Sequence, residues 1–153
     1  MNALSQPLTS LIAEQPFFKG LSPHHIEELA NRAMIEEFKA QEWIFIEGHP
    51  ANRFYLILQG KVAIESGAGE RGQIEIETLG PGDDLGWSWL FAPYYLQFSA
   101  RASEPVKVIF FYATPLRELC ERDHEFGYEL LRRTAEVVVE RLQATRLRLL
   151  NNV

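Results

Sequence analysis

Apolar and polar residues alternate in short blocks through the first two thirds of the chain, then settle into a helical rhythm. Residues 9–15 carry Leu11 and Ile12, enough for one or two helical turns that Pro16 ends, and Phe17 and Phe18 follow as core candidates. Ser22, Pro23, Glu27 and Glu28 stand in the order of a helix start: a hydroxyl N-cap, proline in the first turn, then negative charge. Ile26, Leu29, Ala30 and Ala33 give that helix one apolar face, and His24 and His25 in its first turn are expected in solvent. From residue 34 the period shortens to two. Strands are predicted at 34–38, 43–46, 54–58, 62–65, 73–79, 97–102 and 106–112, separated by turns such as Glu47-Gly48-His49-Pro50 and Gln59-Gly60-Lys61. The 73–79 segment alternates strictly and reads as the return strand of a hairpin with one wet face, reached through a polar tip at 66–72. Short strands at this even spacing favour an antiparallel barrel or jelly roll.

One stretch breaks the rhythm. Gly82-Asp83-Asp84-Leu85-Gly86 is a glycine turn, and Trp87, Trp89, Phe91, Tyr94 and Tyr95 crowd the residues after it. It is predicted to be a short turn-helix insert facing a pocket, with Pro93 closing any helix begun inside it. A membrane span needs about 20 apolar residues, so this run is too short and too broken to be one.

Beyond Tyr112 the pattern is helical. Thr114-Pro115 is expected to cap a short helix carrying Leu116 and Leu119, and Asp123 a long one reaching about Leu150. In the long helix Tyr128, Leu131, Ala135, Val138, Leu142, Thr145 and Leu149 recur at alternating steps of three and four, the spacing of a coiled-coil seam. At about 1.5 Å per residue it approaches 40 Å. Arg141, Arg146 and Arg148 suit the negative end of its dipole. A second apolar row, Leu130, Val137 and Leu147, is expected to face the β scaffold and leave the seam for a partner, so a homodimer through this helix is expected.

Composition narrows the function classes. With 153 residues, 46% hydrophobic and 24% charged, the chain is ordinary globular protein. It reads as a single domain over 1–153, with N-terminal helices at 1–33, the β scaffold at 34–112 and C-terminal helices at 113–153. The net charge of −6 argues against general nucleic-acid affinity. The single cysteine, Cys120, forms no internal disulfide and is read as a small buried residue of a cytoplasmic protein. Met1 to Gln6 has no basic region ahead of an apolar core, so no secretion signal is read. The four histidines, His24, His25, His49 and His124, form no His-x-His strand pair; no metal site, no catalytic residue and no enzyme of the metal-dependent cupin type is expected.

The run from Glu47 to Val62, with a Gly turn, an aromatic-Tyr strand and Gly60-Lys61-Val62, resembles a cyclic-nucleotide-binding domain of the catabolite-activator type. Leu79-Gly80-Pro81-Gly82-Asp83-Asp84-Leu85-Gly86, Leu90-Phe91 and Ala100-Arg101-Ala102 continue the likeness, which covers nearly the whole chain from Phe17. It implies a mainly β fold: an antiparallel β-roll, jelly-roll or cupin-like double-stranded β-helix, with N-terminal helices and a long C-terminal helix that commonly dimerises. It also implies a ligand site at the phosphate-binding cassette, here Gly86, Trp87, Ser88, Trp89, Leu90, Phe98, Ser99 and Arg101. Nucleotide-binding members carry a Glu directly after the cassette glycine and an Arg shortly before the next strand. Here Trp87 stands in place of the Glu, Leu96-Gln97-Phe98-Ser99 offers no Arg, and Arg101 matches a separate strand arginine. A buried phosphate needs a counter-charge or several N–H donors. Cyclic AMP is therefore not the expected ligand, and no cofactor is expected.

The likeness implies a non-catalytic regulatory or sensor module acting on a separate effector chain. Transcription factors of this family mostly place a helix-turn-helix after the long helix; none follows before Val153, so direct DNA reading is not expected. Three pictures compete for the cassette. Trp87, Ser88, Trp89, Leu90, Tyr94 and Phe98 line a pocket for an apolar ligand, or fill it themselves. A dimeric adaptor would instead present Trp87, Trp89, Tyr94 and Tyr95 to another protein. A true cyclic-nucleotide receptor would use backbone N–H groups and Arg101.

Overall fold

The computed structural model describes residues 7–67 and 72–152. It divides into two compact units, one ending at Leu116 and the other starting at Arg117. The first opens with α1 (Leu8–Glu14), a 3₁₀ turn at Pro16–Phe18 and α2 (Pro23–Ala30). The Ser22 hydroxyl accepts from the His25 amide at 3.2 Å, the N-cap that the Ser-Pro order predicts. His25 itself is buried, not in solvent as expected, while His24 is exposed. Ala33 belongs to the first strand, not to the helix.

Eight strands follow: β1 (Ala33–Phe38), β2 (Trp43–Phe45), β3 (Arg53–Gln59), β4 (Val62–Gly67), β5 (Gln73–Leu79), β6 (Asp84–Leu85), β7 (Ser99–Ala102) and β8 (Val106–Tyr112). They form two antiparallel four-stranded sheets, ordered β1-β8-β3-β6 and β2-β7-β4-β5. This is the β-roll that the strand spacing and the family likeness imply. Gly60 shows why glycine punctuates it: φ is +91°, and a Cβ there would run into the Pro105 carbonyl.

Register decides which aromatics meet. Tyr55 pairs with Phe110 and Phe54 with Phe111 across β3 and β8, so neighbouring residues look to opposite faces of one sheet. On one face Phe54 packs against Phe17 at 5.2 Å between centroids and stacks on Phe111 at 6.1 Å, while Phe18 meets both Phe54 and Phe111 edge-on. On the other, Tyr55 meets Phe110 and, across the roll, Phe45 of β2.

The hairpin β4–β5 forms, but β5 is an edge strand and a bulge interrupts its register between Ile64 and Glu65. Ile74 and Ile76 are left exposed, so the expected division into one apolar and one wet face fails. Residues 68–71 of the predicted polar tip lie outside the described residues.

The first unit ends inside α3 (Ala113–Arg122), which starts one residue before the expected Thr114-Pro115 cap. In the second unit Asp123 caps α4 (His124–Asn151), its carboxylate accepting from the Phe126 amide at 3.1 Å. Gly127 passes so close to Cys120 that a Cβ would sit 2.7 Å from the Cys120 carbonyl oxygen. The buried residues of α4 are Phe126, Leu130 and Thr134, a four-residue spacing. Of the second apolar row only Leu130 is buried; Leu147 is exposed. The seam residues Tyr128, Leu131, Ala135, Leu142 and Leu149 are exposed, and Val138 and Thr145 half-buried. No helix among the described residues is long and apolar enough to cross a membrane.

Candidate functional site

The cassette is stitched down at both ends. Before it, the Ile57 amide donates to Asp83 O at 3.0 Å and the Gly82 amide to Ile57 O at 2.9 Å, and the two residues of β6 pair with β3. After it, Ala51 donates to Tyr94 O at 2.7 Å, Leu96 to His49 O and Gly48 to Leu96 O, both at 2.9 Å. Between these anchors the chain makes turns, not the predicted short helix. The Leu90 amide donates to Trp87 O and the Tyr94 amide to Phe91 O, each a reversal of three residues. Pro93 removes an amide donor and disfavours helical backbone at Ala92, and Tyr94 adopts φ +63°.

The expected site residues part company here. Trp87 is half-buried and meets Phe98 at 5.5 Å, ring edge to face. Trp89 is fully buried and packs on Phe54 at 5.2 Å, joining the cluster of Phe17, Phe18 and Phe111. The two indoles therefore do not line one pocket. Ser88 is buried, Leu90 half-buried and Phe91 exposed. Ser99 is buried, its hydroxyl accepting from the Glu47 amide at 2.8 Å.

Gly86 has φ +76°, so glycine is needed there for backbone reasons. A Cβ at Gly86 would meet the Phe45 ring at 3.7 and 3.9 Å and Leu96 at 4.0 Å. Phe45 in turn packs against Phe98 at 5.8 Å and Tyr55 at 5.9 Å. An aromatic chain from Trp87 through Phe98 and Phe45 to Tyr55 thus occupies the flank of the cassette glycine. Neither Phe45 nor Leu96 is among the expected site residues: Phe45 reads from sequence as an ordinary strand residue, and Leu96 is named there with the segment that offers no arginine. The one available signal was Leu96 standing in the segment where an arginine is missing.

Arg101 is engaged elsewhere. It forms a two-pronged pair with Glu65, at 2.9 and 2.7 Å, and its guanidinium lies 4.3 Å over the Trp43 ring. The hydrogen bonds to Glu65 raise the Arg101 pKa. A second phosphate-binding use of this guanidinium would have to break that pair. Among the described residues no cluster of three or more His, Cys, Asp or Glu is arranged to hold a metal.

The family model described as the cyclic nucleotide-binding domain matches residues 35–123. A CRP-like cAMP-activated global transcriptional regulator of Mycobacterium tuberculosis is 28% identical over 138 residues, which cover 90% of this chain and 60% of the relative. The chain thus spans less than two thirds of that regulator's length. A solved Geobacter metallireducens chain, assigned to the cyclic nucleotide-binding proteins, superposes with a TM-score of 0.80 at 28% identity, covering 90% of this chain and 99% of that one. A cyclic nucleotide-binding domain from Methylobacillus flagellatus gives 0.81 at 19% identity, over 96% and 83% of the two chains, and shares the fold. By its sequence match and its two-sheet roll, this chain belongs to the cyclic nucleotide-binding domain family.

Proposed function

We propose that this chain is a non-catalytic regulatory module whose own side chains replace the cyclic nucleotide at the cassette. The observation that carries this reading is the environment of Gly86: on the side where a Cβ would project, the atoms met within 4 Å belong to the uncharged Phe45 and Leu96. A phosphate placed there would lose its hydration without gaining a counter-charge, which is costly. Arg101, the arginine of the strand after the cassette, is already paired to Glu65. Signalling then runs through protein contacts, with α4 as the coupling element. Its seam, Tyr128, Leu131, Ala135, Val138, Leu142, Thr145 and Leu149, is exposed except at the half-buried Val138 and Thr145 and supports a homodimer, since Leu142 and Leu149 are 64% and 65% exposed in the single chain. Mass measurement in solution checks the dimer; a monomer at micromolar concentration removes it.

The test of the cassette is a thermal-shift titration of the full chain with cyclic AMP and cyclic GMP to millimolar concentration. No saturable shift is expected. A saturable rise in melting temperature with either nucleotide overturns the reading and restores a receptor that uses backbone donors.

The exposed aromatics Phe91, Tyr94 and Tyr95 favour a second reading, an adaptor surface on the outer turn of the cassette. A Tyr94→Ala, Tyr95→Ala double variant that recovers every partner as well as wild type does would count against it.

A further inference from the structure

A cleft of about 370 Å³ opens beside the cassette, lined among others by Ile44, Phe45, His49, Arg53, Tyr55 and Leu96. Its volume falls in the range of small-molecule sites, about 300–1,000 Å³. Phe45 and Leu96, the residues that face Gly86, also line this cleft, so the cleft and the cassette glycine share a wall. The lining combines apolar and aromatic surface with one permanent cation, Arg53.

Arg53 is held in a fixed attitude. Its guanidinium lies 4.2 Å over the Phe110 ring and 5.4 Å from Tyr112, and one nitrogen donates to Glu36 at 2.8 Å. Stacking fixes the plane of a guanidinium and leaves its edge as the face that binds. Both members of the pair are about one third exposed, 32% for Arg53 and 38% for Glu36, so Glu36 is free to turn into solvent when another anion arrives. The Tyr55 hydroxyl is hydrogen-bonded to Arg53; burial raises its pKa against the lowering effect of that guanidinium, so the hydroxyl keeps its proton.

We propose that this cleft binds a small planar carboxylate, an aromatic or heteroaromatic monoacid, with its ring along Phe45 and Leu96 and its carboxylate on Arg53 in place of Glu36. A guanidinium edge matches a carboxylate through two parallel hydrogen bonds, and the aromatic walls match a flat ring. The Arg53 end of the site lies outside the cassette while the aromatic wall is shared with it, so failure of the acid to bind leaves the reading of the cassette untouched.

The probes are indole-3-carboxylate and its neutral isostere indole-3-carboxamide, titrated into the full chain and followed by amide NMR shifts. Saturable shifts at His49, Arg53 and Leu96 are expected for the acid, with the amide binding at least about tenfold more weakly, the size of one charge-assisted contact. Arg53→Gln should lose the acid by a similar factor. Because that variant also removes an ion pair and a stacking contact, Glu36→Gln is the second probe: with the competing carboxylate gone, the acid should bind several-fold more tightly. The proposal is overturned if the acid gives no saturable shift, if acid and amide bind alike, or if Glu36→Gln leaves the affinity of the acid unchanged or weaker.

Discussion

Trp87 and Trp89 are one residue apart and end in different surroundings. Trp89 is buried on Phe54, within a cluster that includes Phe17, Phe18 and Phe111, and so fastens the cassette to one face of a sheet. Trp87 keeps a half-open position against Phe98, on the path that leads through Phe45 to Gly86. The same side chain is a fixed anchor in one place and a half-buried edge-to-face contact in the other. On the reading proposed above, the cassette keeps its position on the roll while losing the groups that would hold a phosphate.

The difference can be broken from the anchor side first. Trp89→Ala should cost about 3–5 kcal/mol in urea unfolding, because a fully buried indole leaves a cavity the cluster cannot close. A loss below about 1 kcal/mol would mean that Trp89 is not the anchor. Phe45→Ala should cost about 3 kcal/mol and open the space beside Gly86. Xenon or another small apolar probe should then raise the melting temperature of the variant more than that of wild type.

Smaller effects test the charged neighbour. Arg101→Gln leaves the Glu65 carboxylate buried and short of its partner, so the urea midpoint should fall, by less than in Phe45→Ala because Arg101 itself is partly exposed. Trp87→Ala should cost no more than about 1 kcal/mol, since the residue is half-buried and meets Phe98 edge to face. A Trp87 cost equal to that of Trp89 would erase the contrast.

The last effect is alkaline, is felt only above pH 9, and lies in the second unit. Burial, helped by the charges of Glu121 and Asp123, pushes the Cys120 thiol up to about 11. A pKa raised on folding gives stability that is fully present below the unfolded value, near 9, and is lost as pH rises toward 11. Cys120→Ser should flatten the fall in melting temperature across that window, and wild-type Cys120 should react slowly with iodoacetamide at pH 8.

The sequence showed most of the scaffold because the signals there are local. Ser22 and Asp123 cap their helices through bonds to amides three residues on, and Gly48, Gly60, Gly82 and Gly86 all take the positive φ that a turn glycine serves. The two-residue β6 was hidden because its identity comes from pairing with β3, not from its own pattern. The alternation of β5 misled because the strand lies at a sheet edge beside a bulge, where Ile74 and Ile76 gain no cover. The site was half legible. The likeness sets Trp87 where nucleotide-binding members carry a Glu and finds no Arg in Leu96-Gln97-Phe98-Ser99, both read from the letters alone, whereas the separation of the two indoles, the burial of His25 and the approach of Phe45 to Gly86 depend on contacts far apart in the chain.

The most direct test of a cassette occupied by its own side chains is an NMR titration that follows the backbone amides of Gly86 and Leu96 as cyclic AMP is added to millimolar concentration. These two resonances should stay where they are. A saturable displacement of both would show a nucleotide seated where Phe45 and Leu96 are placed, and would contradict the account.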